Sequence, residues 1–131
     1  MSIDYAARAR ALVRTRFRLQ GRGEGGLDCV GVVLATFGID AAIVRRDYRL
    51  RDVERVEIDA ALRKHFRRVP VGQLRVGDLI LLDAGKRQLH LAIQTDGGFI
   101  HAHAGIGRVV ETPGSPEWPV LGTYRKRVRK D

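Results

Sequence analysis

The sequence predicts an α+β fold, with helices in the first half of the chain and an antiparallel sheet after them. Three observations carry this. Apolar residues recur at helical spacing in two stretches, around residues 3–15 and 53–66. Residues 29–37, Cys-Val-Gly-Val-Val-Leu-Ala-Thr-Phe, are apolar nearly all round, the mark of a buried helix. From residue 74 onward the apolar period becomes two, with turn residues between short runs. Helices and strands segregated along a chain in this way make an α+β arrangement.

Taken in order, residues 3–15 place Ala6, Ala9 and Val13 on one face with Leu12 beside them and arginines opposite. Residues 16–26 hold four glycines and read as a loop that can turn tightly. Asp28 is the expected N-cap of the buried helix over 29–37, and Gly38 its expected stop. Residues 39–44 read as a short connector or edge strand, and 45–51 as a charged loop. Asp52 is the expected cap of a helix over 53–66, whose Ile58, Ala61, Leu62, His65 and Phe66 share a face. Strands are expected at 79–82, 89–94, 99–104, 108–111 and 120–124, joined as a meander. Asp96-Gly97 is a two-residue hairpin signal between the second and third. No repeat or linker divides the chain, so residues 1–131 are expected to form a single domain.

Composition narrows the function. At 44% apolar and 30% charged, the chain is ordinary for a globular protein. It has no apolar run of transmembrane length, so no membrane span is expected. Its first residues lack the apolar core of a signal peptide, so synthesis in the cytoplasm without a secretion signal is expected. The net charge of +9 favours polyanions: nucleic acid, an anionic wall polymer or a membrane surface. For nucleic acid only the charge speaks. No recognition motif is present and aromatics are few, so no specific nucleic-acid partner is expected.

One cysteine, Cys29, excludes an internal disulfide and leaves an inert core thiol or a reactive one. A thiol becomes a nucleophile as the thiolate, which a helix N-terminus and a nearby imidazolium both favour. Cys29 has the first of these by position. Of the four histidines, His65 falls at a helix end and reads as packing or a dipole partner. The other three, His90, His101 and His103, lie in the expected hairpin. With a two-residue turn, His90, Ala92, His101 and His103 project from one side of the sheet. A three-residue turn would put His90 on the other side. Three histidines on one face also suit zinc, but no second cysteine or obvious fourth group completes a site, and no metal or cofactor is expected. Histidines with no shared role are the remaining reading.

At this point four motifs, in order, resemble those of the NlpC/P60 cell-wall peptidases. Leu-Asp-Cys-Val-Gly-Val-Val at 27–33 is similar to the family's Asp-Cys-Ser-Gly-Leu-Val. Val-Gly-Asp-Leu-Ile-Leu at 76–81 is similar to its Pro-Gly-Asp-Leu-Val-Phe, and His-Leu-Ala-Ile at 90–93 to its His-Val-Gly-Ile. Gly-Phe-Ile-His-Ala at 98–102 is similar to its Gly-X-Phe-Ile-His-Ala. The resemblance covers about residues 15–112. It implies a papain-like fold with helices packed on an antiparallel sheet. It also implies a cysteine endopeptidase or amidase in which Cys29 is the nucleophile, His90 the general base and His101 the residue that orients it, with His103 the other candidate for that last role. The backbone amide of Cys29 would help hold the oxyanion. The implied substrate is the peptidoglycan stem peptide, at the bond between D-γ-glutamate and a diamino acid.

Two positions depart from the pattern. Val30 stands where the motif has serine, and Phe17 stands where the family often has a tyrosine, twelve residues before the cysteine. Gln20 is a substitute side-chain donor on this reading. Short versions without wall-binding repeats resemble hydrolases of phage tails and phage-like particles. Such particle components are therefore candidate partners and would carry the protein to the wall. Two other functions stay open: amide hydrolysis or acyl transfer on a different substrate, and a non-catalytic assembly module of a phage-like tail.

Overall fold

The computed structural model describes residues 3–18, 22–23, 26–40 and 54–127, and the expectations for residues 41–53, Asp52 as a cap among them, lie outside the described residues. The chain begins with a short helix, α1 (Tyr5–Arg10), capped by Asp4, whose carboxylate accepts from the Ala7 amide at 2.9 Å. The expected helix over 3–15 is therefore shorter. After Ala11 the chain turns and runs beside a strand of the sheet, where Arg14 N–H donates to the Val109 carbonyl and Phe17 N–H to that of Gly107. Much of the expected loop is also extended: the two-residue strands β1 (Arg22–Gly23) and β2 (Gly26–Leu27) pair antiparallel. Gly26 has φ +130°, and a Cβ there would lie 2.6 Å from the Arg16 carbonyl oxygen, so only glycine lets the two segments close.

Helix α2 (Cys29–Phe37) has the expected bounds. Gly38 ends it with φ +67°, and the Gly38 and Ile39 amides both donate to the Leu34 carbonyl. Helix α3 (Arg55–Arg63) follows the undescribed stretch, with Ile58 and Leu62 buried. Here the sequence misleads. Phe66 continues the 58–62–66 helical spacing, yet it opens a strand, β3 (Phe66–Val69). Tertiary pairing overrides the pattern: β3 zips onto the last strand from Phe66↔Lys126 to Val69↔Thr123, and the Phe66 ring meets Phe37 edge-on at 4.9 Å.

The other strands are β4 (Leu79–Asp83), β5 (Leu89–Gln94), β6 (Gly98–His103), β7 (Arg108–Pro113) and β8 (Val120–Lys126). With β3 they form a six-stranded antiparallel sheet in the order β3-β8-β4-β5-β6-β7. Strands β4 to β7 are the expected meander. Strand β8 is not its next member: it crosses back to pair with β4 on the far side. The β5–β6 register, Ile93↔Ile100 and Gln94↔Phe99, leaves Asp96-Gly97 as a two-residue turn. Strand β7 comes so close to β6 at Gly98 that a Cβ there would overlap the Thr112 carbonyl.

The two faces of the sheet carry different layers. Leu79, Leu81, Leu91, Ile93, Ile100, Ala102 and Val109 join the α2 valines, Phe37 and Phe66 in the main core. Each fully buried aliphatic side chain contributes about 1.5–3 kcal/mol through the water it sheds. On the other face Ile80, Leu82, Ala92 and Phe99 form a smaller cluster under Leu74. The Val-Gly-Asp motif is a clamp at the start of β4. Asp78 is buried, accepts from the Arg75 amide at 2.8 Å, and takes two bonds from the Arg125 guanidinium at 2.7 and 2.9 Å. No helix among the described residues is long and apolar enough to cross a membrane.

Candidate active site

Cys29 is the first residue of α2, the helix that packs across β5 and β6. The residue before it sets the helix start: Asp28 is extended, and its carboxylate accepts from the Gly31 amide at 2.8 Å. Leu27, buried, is pinned in turn by its amide bond to the Arg16 carbonyl at 2.9 Å. The thiol is half-buried against the main core and sits where the first amides of the helix concentrate positive potential.

His90 and His101 come together across the β5–β6 hairpin. His90 Nε2 lies 2.8 Å from His101 Nδ1, and the rings meet edge-on. The pairing follows from the register: with two residues in the turn, position 90 and position 101 fall on one side of the pleat. That side is opposite Leu91 and Ile100, which face the main core with α2. The imidazoles and the body of the helix thus occupy different faces, and Cys29 and His90 each stand within the first two residues of their elements.

His101 is 4% exposed, and its Nε2 faces the Thr112 hydroxyl at 3.5 Å. The Trp118 ring, from the β7–β8 loop, lies 5.2 Å from the His90 ring and 6.1 Å from that of His101. Burial pushes His90 down to about 3, with repulsion from His101 and His103 adding to it. Burial, with His103 close by, pushes His101 down to about 4. Both rings are therefore neutral at neutral pH, and each carries a single N–H. His103 turns elsewhere: its Nδ1 accepts from the Ile106 amide at 3.0 Å in the β6–β7 turn. Of the two histidines left open by the sequence, His101 is the one in contact with His90.

The departures from the motif pattern fall in the packing. Val30 is buried in the main core, and Phe17 is half-buried against it. Gln20 lies outside the described residues. His65, after α3, is half-buried, and burial lowers its affinity for a proton. Thr112 and Trp118 were not anticipated. Thr112 was legible in principle, since extending the expected 108–111 strand by one residue puts it on the histidine face, while Trp118 sits in a loop whose path no local pattern encodes. Among the described residues no group of three or more His, Cys, Asp or Glu side chains is arranged to hold a metal ion.

Comparison with known proteins bears on the family and the fold. The NlpC/P60 family model matches residues 14–120. Murein DD-endopeptidase MepS/Murein LD-carboxypeptidase of Escherichia coli K12 is 30% identical over 114 residues, which is 86% of this chain and 55% of the relative. The chain thus spans about half the length of the curated relative it matches. Among solved structures, NlpC2 from Trichomonas vaginalis superimposes with a TM-score of 0.69 at 16% identity, covering 93% of this chain and 45% of that one. An NlpC/P60 family protein from Bacillus cereus gives 0.66 at 22% identity, covering 94% and 39%. The peptidoglycan hydrolase RipB from Mycobacterium tuberculosis gives 0.61 at 20% identity, covering 98% and 64%. At such identities these structures establish the fold, which is the papain-like α+β arrangement of helices on an antiparallel sheet.

Proposed function

The chain belongs to the NlpC/P60 family, and from that premise we propose that it hydrolyses the peptide part of peptidoglycan, with Cys29 as nucleophile, His90 as general base and His101 as its orienting partner. The observation that carries the reading is the His90–His101 pair, joined at 2.8 Å, in a fold whose central helix starts on the chain's one cysteine. A neutral imidazole bonded through Nε2 has its other nitrogen available for a proton. If His101 carries its N–H on Nε2, toward Thr112, its Nδ1 accepts from His90 Nε2–H, and His90 Nδ1 keeps the lone pair that a thiol proton needs.

The steps then follow thiol-hydrolase logic. His90 takes the Cys29 proton as the sulfur attacks an amide carbonyl. Negative charge gathers on the carbonyl oxygen, for which the Cys29 backbone N–H at the helix start is the proposed donor. The intermediate collapses, His90 protonates the departing amine, and a thioester joins the acyl group to Cys29. Water, deprotonated by His90, attacks the thioester and frees the acid. Keeping the imidazoles neutral at rest suits a base that acts during attack rather than a preformed thiolate–imidazolium pair. The amide expected to be cut joins D-γ-glutamate to a diamino acid. The Escherichia coli relative is named for two other murein activities, so the products identify the bond in this chain.

The test is a digest of purified peptidoglycan read by mass spectrometry, with wild type and Cys29→Ala side by side. Wild type should release fragments ending at a γ-linked glutamate, and the variant none. Equal release by both proteins would overturn the cysteine mechanism. Iodoacetamide labelling of Cys29 reports on the base separately: His90→Ala should slow it, and an unchanged rate would mean that thiol and imidazole do not pair.

A further inference from the structure

The face that carries the histidine pair also carries a row of basic side chains running away from it. In the β6–β7 register His103 lies directly opposite Arg108. Arg108 in turn lies opposite Arg16, in an antiparallel bridge with the segment that follows α1. Directly opposed residues share a face, so His103, Arg108 and Arg16 cross three adjacent strands on the side of His101, whose ring is 5.5 Å from that of His103. Two arginines facing each other across a bridge repel, and such pairs cost stability when nothing offsets them.

Among the described residues no ion pair engages Arg14, Arg16 or Arg108. The nearest carboxylate on β7, Glu111, is held by both Nε and Nη2 of Arg10 at 2.9 Å. Arg108 also donates to the Arg14 carbonyl at 3.2 Å, which holds the turn with Arg14 in a left-handed conformation, φ +82°. Beside this turn an open groove runs along β7, lined by Val13, Arg14, Ile106, Arg108, Val110 and, at its far end, the Arg10-bound Glu111. Arg108 lines this groove and Arg16 stands opposite it across the bridge, and two exposed guanidiniums with no ion pair among the described residues form an arrangement that can accept an anion.

Resting on the peptidoglycan-peptide reading above, we infer that Arg16 and Arg108 form a subsite for a free carboxylate carried by the substrate beside its scissile amide. A γ-linked glutamyl residue supplies such a group, because its α-carboxylate stays free when the γ-carboxyl makes the amide. The carboxylate would relieve the repulsion between the two arginines and set the peptide's register relative to the histidine pair.

Two synthetic stem peptides test this, identical except that the γ-linked glutamyl residue bears either a free α-carboxylate or a carboxamide. Wild type should favour the carboxylate form in kcat/KM by about tenfold or more, the worth of one charge-assisted contact. Arg16→Gln and Arg108→Gln should each shrink that ratio, and the double variant should bring it to about one. Arg108→Lys, which keeps the charge, should retain most of it, separating charge from the structural bond to Arg14. A wild-type ratio near one, or a ratio untouched in the double variant, would overturn the subsite. If wild type cleaves neither peptide, the hydrolase reading falls, and calorimetric binding of the same two peptides decides the subsite alone. Tighter binding of the carboxylate form that is lost in the double variant sustains it, and equal binding of both forms refutes it.

Discussion

Lowering the pH from 7 to 5 should destabilise this protein, because two imidazoles are folded into a site that keeps them neutral. An unfolded histidine takes up its proton near pH 6.5, whereas in the fold His90 waits until about 3 and His101 until about 4. Between these values the unfolded chain binds more protons than the folded one, so unfolding stability rises with pH across the window. The contribution is fully present above about pH 6.5 and is lost as the pH falls. At pH 5 each ring forfeits on the order of 2 kcal/mol, and their shared bond makes about 4 kcal/mol a ceiling for the pair. His65, lowered by burial, adds in the same direction. Asp59 and Glu111 do not interfere, since hydrogen bonds from Tyr124 and Arg10 hold their carboxyls below the usual range and they stay ionised at pH 5. Urea unfolding at pH 7, 6 and 5 measures the effect as a midpoint shift at constant slope. The double variant His90→Gln, His101→Gln should lose most of the pH dependence. A wild-type midpoint that does not move between pH 7 and 5, or a slope fully retained in the double variant, would refute the idea that these two rings are neutral because they are buried.

Three further outcomes follow from single contacts. Asp78→Ala should cost about 1.5–3 kcal/mol, the worth of hydrogen bonds to a charged group whose guanidinium keeps some contact with water, and should lower the melting temperature measured by circular dichroism. Gly26→Ala should cost at least about 2 kcal/mol, since the new methyl meets the Arg16 carbonyl in a backbone region that disfavours side chains; unchanged thermal stability would show that the loop before Cys29 can shift freely. Thr112→Val removes the oxygen facing His101 Nε2 and frees that ring to adopt the other tautomer. It should lower kcat several-fold with KM little changed, and Thr112→Ser should restore it; equal loss in both variants would assign Thr112 to packing instead.

How much of this was legible depends on whether a signal is local. Helix α2 could be read to the residue because everything that defines it is adjacent in sequence: Asp28 caps it, Gly38 stops it, and an unbroken apolar run lies between. The histidine pairing was legible for a similar reason, since the parity of a two-residue turn at Asp96-Gly97 decides which side chains share a face. Strand β3 was hidden because Phe66 satisfies the helical period of α3 and the strand exists only by pairing with β8, some sixty residues away. The return of β8 to β4 was hidden likewise, as no residue within β8 encodes its neighbour.

The same distinction explains why the candidate site is uneven. Its two imidazoles are joined by a hairpin, the shortest route in a sheet, and their geometry follows from the chain. Its thiol arrives from a separate layer, on a helix whose valines pack against the opposite side of the pleat from His90 and His101. The relation of sulfur to imidazole is then set by how two element ends meet, Cys29 opening α2 and His90 near the start of β5. The parts that set the helix end are Asp28, which fixes the first turn, and Leu27, whose amide bond to Arg16 anchors it to the segment beside β7. Arg16 thus belongs to both features: its carbonyl holds the strand that leads to the nucleophile, and its guanidinium stands in the basic row. A substrate carboxylate drawn to Arg16 and Arg108 would bear on the same backbone that carries Cys29. On this geometry binding and alignment of the thiol are coupled, and alkylation of Cys29 should change rate when the carboxylate peptide, but not its carboxamide twin, is present.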